Sequence, residues 1–170
     1  MKNTPVNWLK KIISSLFFLG YFPVASGTVG SAVAVGAIVF LQWKWPHLLS
    51  SGVDHYYWVA MSAITLFAII VSAGAREMFG ADDPKQVIID EFAGQVITFF
   101  MIPLTWRTLL LGFLLFRFFD IVKPFPVHKM EELEGGVGIT MDDVVAGVYA
   151  NITLMAILWG YHGVRVLLNS

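Results

Sequence analysis

The sequence predicts an all-α integral membrane protein of one domain spanning residues 1–170, with about five transmembrane helices behind an N-terminal interfacial amphipathic helix. Composition is the first reason: the chain is 57% hydrophobic and only 14% charged, with a mean hydropathy of +0.72, far more apolar than an ordinary soluble domain. The second is length, because several apolar stretches approach the roughly 20 residues that a helix needs to cross a bilayer. The third is economy of linkers: the longest polar stretch is Lys123 to Asp143, and no low-complexity tract or heptad repeat interrupts the pattern.

From the N-terminus, residues 7–19 place Trp8, Ile12, Leu16 and Leu19 on one side and Asn7, Lys10, Lys11, Ser14 and Ser15 mostly on the other, which predicts a helix lying on the membrane. A signal peptide is the competing reading, since Lys10 and Lys11 precede an apolar run and small residues Ala25 and Ser26 follow. Against it, Pro23 stands just before those small residues, and Gly27, Thr28 and Gly30 lead directly into the first span, 29–42. Trp43 and Trp45 mark the far interface of that span, as aromatic belts do. The other spans fall at about 56–75, 87–104, 108–122 and 144–161.

Lysine and arginine outside the spans set the orientation. With the N-terminus inside, Lys2, Lys10, Lys11, Arg76, Lys85, Lys123 and Lys129 are cytoplasmic, against Lys44, Arg107 and Arg165 outside. The net charge of −1 and the absence of a basic stripe exclude a nucleic-acid footprint. No cysteine is present, which removes disulfides, thiolate metal sites and cysteine nucleophiles.

Two acidic pairs, Asp90-Glu91 and Asp142-Asp143, then fall at the cytoplasmic mouths of the third and fifth spans. Carboxylates next to a hydrocarbon core are costly and point to function, and two pairs together point to a bound cation. Arg117 and Asp120, three apart on one helix face, and Lys123 one turn on, reach the same level. So do Gly27 and Thr28, whose helix N-terminus offers free N–H groups to an anion. Carboxylates holding a hard divalent ion, with Arg117 and Lys123 taking the remaining charge, form a site for a phosphoryl group. Each piece also has a plainer reading: an Asp as a helix cap, Arg117 with Asp120 as a structural ion pair, Lys123 snorkelling, the glycines as close helix contacts. His128 lies in the loop near the site and reads as solvated; His47, His55 and His162 fall toward the opposite face or the chain end. Glu131, Glu132 and Glu134 read as a solvated run. A faint internal echo relates Asp90-Glu91-Phe92-Ala93-Gly94 to Asp142-Asp143-Val144-Val145-Ala146-Gly147, with one residue of slippage.

Four segments in order resemble the bacterial phosphatidylglycerophosphatase A family: Pro23 to Ser31, Val87 to Gly94, Arg117 to Pro124, and Gly136 to Gly147. The resemblance runs from about Leu19 to the last span and departs at Ser26, where that family's loop is expected to carry proline. It implies a multi-pass enzyme of the bacterial inner membrane that is magnesium-dependent and hydrolyses phosphatidylglycerophosphate to phosphatidylglycerol and phosphate at the cytoplasmic face. On that reading Asp90, Glu91, Asp142 and Asp143 are metal ligands and contribute any base. Arg117, Lys123, Gly27 and Thr28 bind the phosphate, and Asp120 orients Arg117 or joins the metal. Direct attack by water and a phosphoryl-aspartate intermediate both remain open, as do metal number, acyl preference and oligomeric state. Two rivals use similar residues. A CDP-alcohol phosphotransferase would need a longer Asp-rich signature than follows Gly94, and a small cation transporter would place its carboxylates near the midplane of the membrane.

Overall fold

The structure is a computed structural model and describes residues 5–46, 55–81 and 84–168. Among them are eight helices and no strand: α1 (Pro5–Ser14), α2 (Ser26–Lys44), α3 (His55–Ser72), α4 (Ala75–Phe79), α5 (Ile89–Thr98), α6 (Trp106–Val122), α7 (Val127–Met130) and α8 (Gly135–Leu168). A 3-10 turn at Leu19–Tyr21 joins α1 to α2. Of these helices, α2 and α8 are long and apolar enough to cross a membrane. His47 lies outside the described residues, as do the side chains of His55 and His162.

The span predicted for 87–104 is not one continuous helix. α5 has ten residues, a length of about 15 Å or half a hydrocarbon core. Tight turns then follow, with Met101 in the left-handed region. A helix that stops inside a bundle strands its last carbonyls, and here they are satisfied from other helices. The Asn151 amide on α8 donates to Thr98 O (3.0 Å) and Phe100 O (2.7 Å), and the Tyr57 hydroxyl donates to Val96 O (2.8 Å). A capping box between Thr105 and Thr108 starts α6 on the far side of the break.

α5 is the hub of the fold. Its Val96 packs with Ala34 and Ile38 of α2 and Leu154 of α8, while Ile89 and Ala93 pack with Ala68 of α3, Ala75 and Met78 of α4 and Ile139 of α8. The closest crossing is with α8, which runs in the same direction. A Cβ on Gly94 would lie 2.5 Å from Asp143 O, and one on Gly147 would collide with Gly94 O. Both glycines are therefore required for the backbones to meet, as at small-residue crossings in membrane helices. This contact also gives the internal echo its true register. Aligned as Asp90, Gly94, Thr98 against Asp143, Gly147, Asn151, the two helices carry equivalent residues every four positions, and the slippage disappears.

Three expectations are corrected. α1 ends at Ser14 rather than near residue 19, because Leu16, Phe17 and Phe18 take left-handed backbone conformations and turn the chain. Ser14 and Ser15 do not face outward; both are fully buried, and Ser14 O accepts from Ile88 N–H at the start of α5. The last span begins at Gly135, so Asp142 and Asp143 lie two turns inside α8 and not at its mouth.

Large apolar side chains cover much of the outside, an exposed apolar area of the kind that marks a membrane or partner surface. Trp43, Trp45, Trp58, Trp106 and Trp159 are all exposed on α2, α3, α6 and α8 or directly after α2. Helix directions put these five at the end opposite the α2 and α5 N-termini, gathered as a belt of exposed tryptophans. From Asp143 to Trp159 along α8 is about 24 Å.

Candidate metal and phosphate site

The N-termini of α2 and α5, the C-terminus of α6 and the start of the third turn of α8 meet at the end of the bundle away from that belt. Asp90, Glu91 and Asp143 each bring one carboxylate oxygen to within 4.8 Å of the others, and Asp120, Asp142 and Asp143 form a second such group. Asp143 belongs to both. The glycine crossing explains the first group: one turn ahead of Gly94 and Gly147 stand Asp90 and Asp143, so close backbones bring the carboxylates together.

None of this resembles ordinary capping. The N-cap of α5 is Ile88, which offers no side-chain bond, although Asp90 Oδ1 accepts the Glu91 N–H at 3.0 Å. Asp142 and Asp143 are helix-interior residues, only 6% and 4% exposed. Glu91 Oε2, Asp142 Oδ1 and Asp143 Oδ1 are buried without a hydrogen-bond partner. Buried, unpaired carboxylate oxygens in native proteins are rare and call for a ligand. An all-carboxylate donor set of hard oxygens suits magnesium, calcium or manganese rather than zinc or copper.

Two cations border the cluster. Arg117 Nη1 lies 2.6 Å from Asp120 Oδ2, a charge contact without hydrogen-bond angles, and Arg117 Nε is buried and unbonded. Half of the guanidinium fork is thus uncommitted. Lys123 ends α6 in a left-handed conformation (φ 46°), which costs a non-glycine residue about 1–2 kcal/mol and turns its ammonium onto α8. Lys123 Nζ donates to Asp142 Oδ2 at 2.8 Å and also to Glu131. Burial works against the charged lysine, but the hydrogen bonds to Asp142 and Glu131 outweigh it and hold its pKa above the ordinary lysine value.

Gly27 closes the site from α2. A Cβ there would overlap Glu91 Oε1 and stand 3.0 Å from Arg117 Nη1, so only glycine lets both side chains reach their places. Thr28 follows in the same first turn, half-buried. The α2 N-cap, Ala25, makes no side-chain cap, and the Ser26 hydroxyl instead donates to Lys85 O (2.7 Å), pinning this loop to the approach to α5. A hydrogen bond thus does at Ser26 what proline rigidity would do there.

All nine predicted site residues therefore converge on one end of the bundle. His128 stays exposed against the Phe125 ring, and Glu132 and Glu134 are exposed, while Glu131 reaches Lys123. Sequence reasoning missed Asn151 and Gln95. Asn151 was legible as the third member of a four-residue period, Asp143, Gly147, Asn151. Gln95 is fully buried with neither amide atom hydrogen-bonded, one turn below Glu91, and only burial reveals it.

The profile of the family described as Phosphatidylglycerophosphatase A matches residues 12–158. A Bacteroides thetaiotaomicron protein provisionally named phosphatidylinositol-3-phosphatase is 35% identical over 158 residues, covering 90% of this chain and 96% of its own. Phosphatidylglycerophosphatase A of Escherichia coli is 33% identical over 137 residues, 78% of this chain and 73% of its own. The Haemophilus influenzae protein of the same name is 49% identical over 80 residues, 46% of this chain and 49% of its own. No solved structure matches.

Proposed function

Because the chain belongs to the phosphatidylglycerophosphatase A family and is a phosphatidylglycerophosphatase, we propose that it hydrolyses phosphatidylglycerophosphate with magnesium held by the acidic cluster, at the cytoplasmic face of a bacterial inner membrane that it crosses several times. The observation that carries this reading is the Asp90, Glu91 and Asp143 set, in which Glu91 Oε2 and Asp143 Oδ1 are buried and unpartnered, beside a half-committed arginine. Magnesium bound there would polarise the phosphoryl oxygens and lower the pKa of water.

The chain's own residues have separable tasks. Asp90, Glu91 and Asp143 would hold an ion, Asp142 stands beside them in the second donor group, and a carboxylate oxygen left over would take the proton of the attacking water. Arg117 presents its fork to two phosphoryl oxygens, and Lys123 supplies a point charge. Asp120 holds Arg117 beside the cluster by a charge contact until the site is filled. Gly27 and Thr28 offer backbone N–H groups at the α2 N-terminus. In the reaction, the water oxygen bonds to phosphorus and the phosphorus–glycerol oxygen bond breaks. The glycerol oxygen leaves as an alcohol after taking up a proton, and the rest departs as inorganic phosphate. Lysine and arginine counting supports the cytoplasmic face, and the tryptophan belt at the opposite end is consistent with it.

Phosphate release from vesicles by purified protein, with and without magnesium, tests the proposal. Phosphatidylglycerophosphate is compared with phosphatidylinositol 3-phosphate, since the name of one relative specifies the latter. Release from the former that stops with chelator, and is lost in Asp90→Asn and Asp143→Asn while both variants still insert, is the expected result. Turnover undiminished by chelator overturns the metal assignment.

A further inference from the structure

We propose that the site holds two divalent cations, with Asp143 as the carboxylate shared between them. The proposal rests on the magnesium reading above and deepens it. Its geometric basis is the pair of donor groups, Asp90–Glu91–Asp143 and Asp120–Asp142–Asp143, each tight enough for one ion and overlapping in a single residue. A carboxylate has two oxygens, and Asp143 Oδ1 is buried and unpartnered, although the side chain lies between both groups. Glu91 Oε2 in the first group and Asp142 Oδ1 in the second are likewise buried and unpartnered, so each group has an open donor of its own.

Charge decides between one ion and two. Five carboxylates face two side-chain cations, Arg117 and Lys123, which leaves three net negative charges when all are ionised. One divalent ion still leaves the cluster negative and repels a phosphomonoester dianion. Two ions make it positive by one charge, which attracts the dianion. Glu131 on Lys123 is half exposed and screened by water, and counting it would only increase the need for the second ion.

The ion pairs also give an order of binding. Both cations sit on the second group, Arg117 on Asp120 and Lys123 on Asp142, and stand in for an ion there. The first group therefore fills first. Filling the second draws Asp120 and Asp142 away from Arg117 and Lys123 and releases both cations to the phosphate. Paired metals on phosphatases commonly stand about 3.5–4 Å apart and clamp the attacking and leaving oxygens of an in-line displacement.

Manganese is the probe. The detergent-solubilised full-length protein is stripped of metal, loaded with excess manganese, passed through gel filtration and assayed for metal content, with electron paramagnetic resonance on the same sample. Two ions per chain, with the halved hyperfine spacing of an exchange-coupled pair, are expected. Asp142→Asn should lose one ion and the coupled signal, and Glu91→Gln should do the same from the other side. One ion per chain in the unaltered protein overturns the pair and leaves the magnesium reading standing, while none overturns both. Two uncoupled ions overturn Asp143 as the shared ligand.

Discussion

Replacing Gly27 with alanine separates the site from the fold, because the atoms an added methyl group meets are the ends of two flexible side chains. The new Cβ overlaps Glu91 Oε1 and touches Arg117 Nη1 at 3.0 Å. To restore ordinary contact, the Glu91 carboxylate must retreat by about 1 Å. Displacement of a reacting or ligating group by about 1 Å costs on the order of 100-fold in rate, or about 2.7 kcal/mol of barrier. Folding should not suffer equally, since alanine in a helix gains roughly 0.5–1 kcal/mol over glycine and only side chains have to move. Gly147→Ala is the contrast. Its methyl group meets the backbone of Gly94, which cannot step aside, so overpacking should cost about 1–3 kcal/mol of stability. Phosphate release and detergent denaturation midpoints, measured on both variants, test the pair. Wild-type turnover in Gly27→Ala would refute the placement of Glu91 and Arg117 in the machinery, and an unfolded Gly27→Ala would show that the glycine serves packing instead.

Arg117→Lys keeps charge but loses the planar fork, and should lower turnover by roughly 30- to 1000-fold, about 2–4 kcal/mol; near-normal turnover, with a stable and active Arg117–Asp120 double neutralisation, would reduce the pair to a structural one. Asn151→Ala removes the two amide hydrogen bonds to Thr98 O and Phe100 O at the break and should destabilise the fold by about 1–3 kcal/mol in a denaturation series, with Asn151→Asp no better because a carboxylate cannot donate. Cysteines placed at Lys85 and Lys129 should be shielded from an impermeant thiol reagent in intact cells, while one at Lys44 should label, with no native cysteine to interfere; labelling at Lys129 would put the site on the other face.

Much of the site was legible because charge in an apolar chain is conspicuous. Asp90, Glu91, Arg117, Asp120, Lys123, Asp142 and Asp143 are the chain's costly residues, and the span boundaries with the lysine and arginine count put them at one level. The break after Thr98 was not legible. From Phe92 to Leu104 no charge interrupts the apolar run, and the partners that allow a helix to stop there, Tyr57 and Asn151, come from distant parts of the sequence. The start of α8 was hidden for the converse reason: Gly135, Gly136 and Gly138 fall in the polar stretch ahead of the span predicted at 144–161. Yet Gly136 packs where a Cβ would collide with Ile69 O, and Gly138 against Leu133 O, so glycine there answers to crowding and not to flexibility. Hydropathy reads transfer from water to lipid and is blind to such contacts.

A half-length α5 is what lets the cluster exist. A continuous helix there would satisfy its own carbonyls and would need no amide from α8. Ending at Thr98, it is fixed axially by the Asn151 amide at one end and by the Gly94–Gly147 contact one turn above. That double constraint sets the height of Asp90 and Glu91 against Asp143 within a fraction of a helical turn. Ligand positions must hold to about 0.5 Å for catalysis, so the buried polar groups at the break and the acids at the face belong to one device. The apolar end of the bundle supplies the precision, and the charged end uses it.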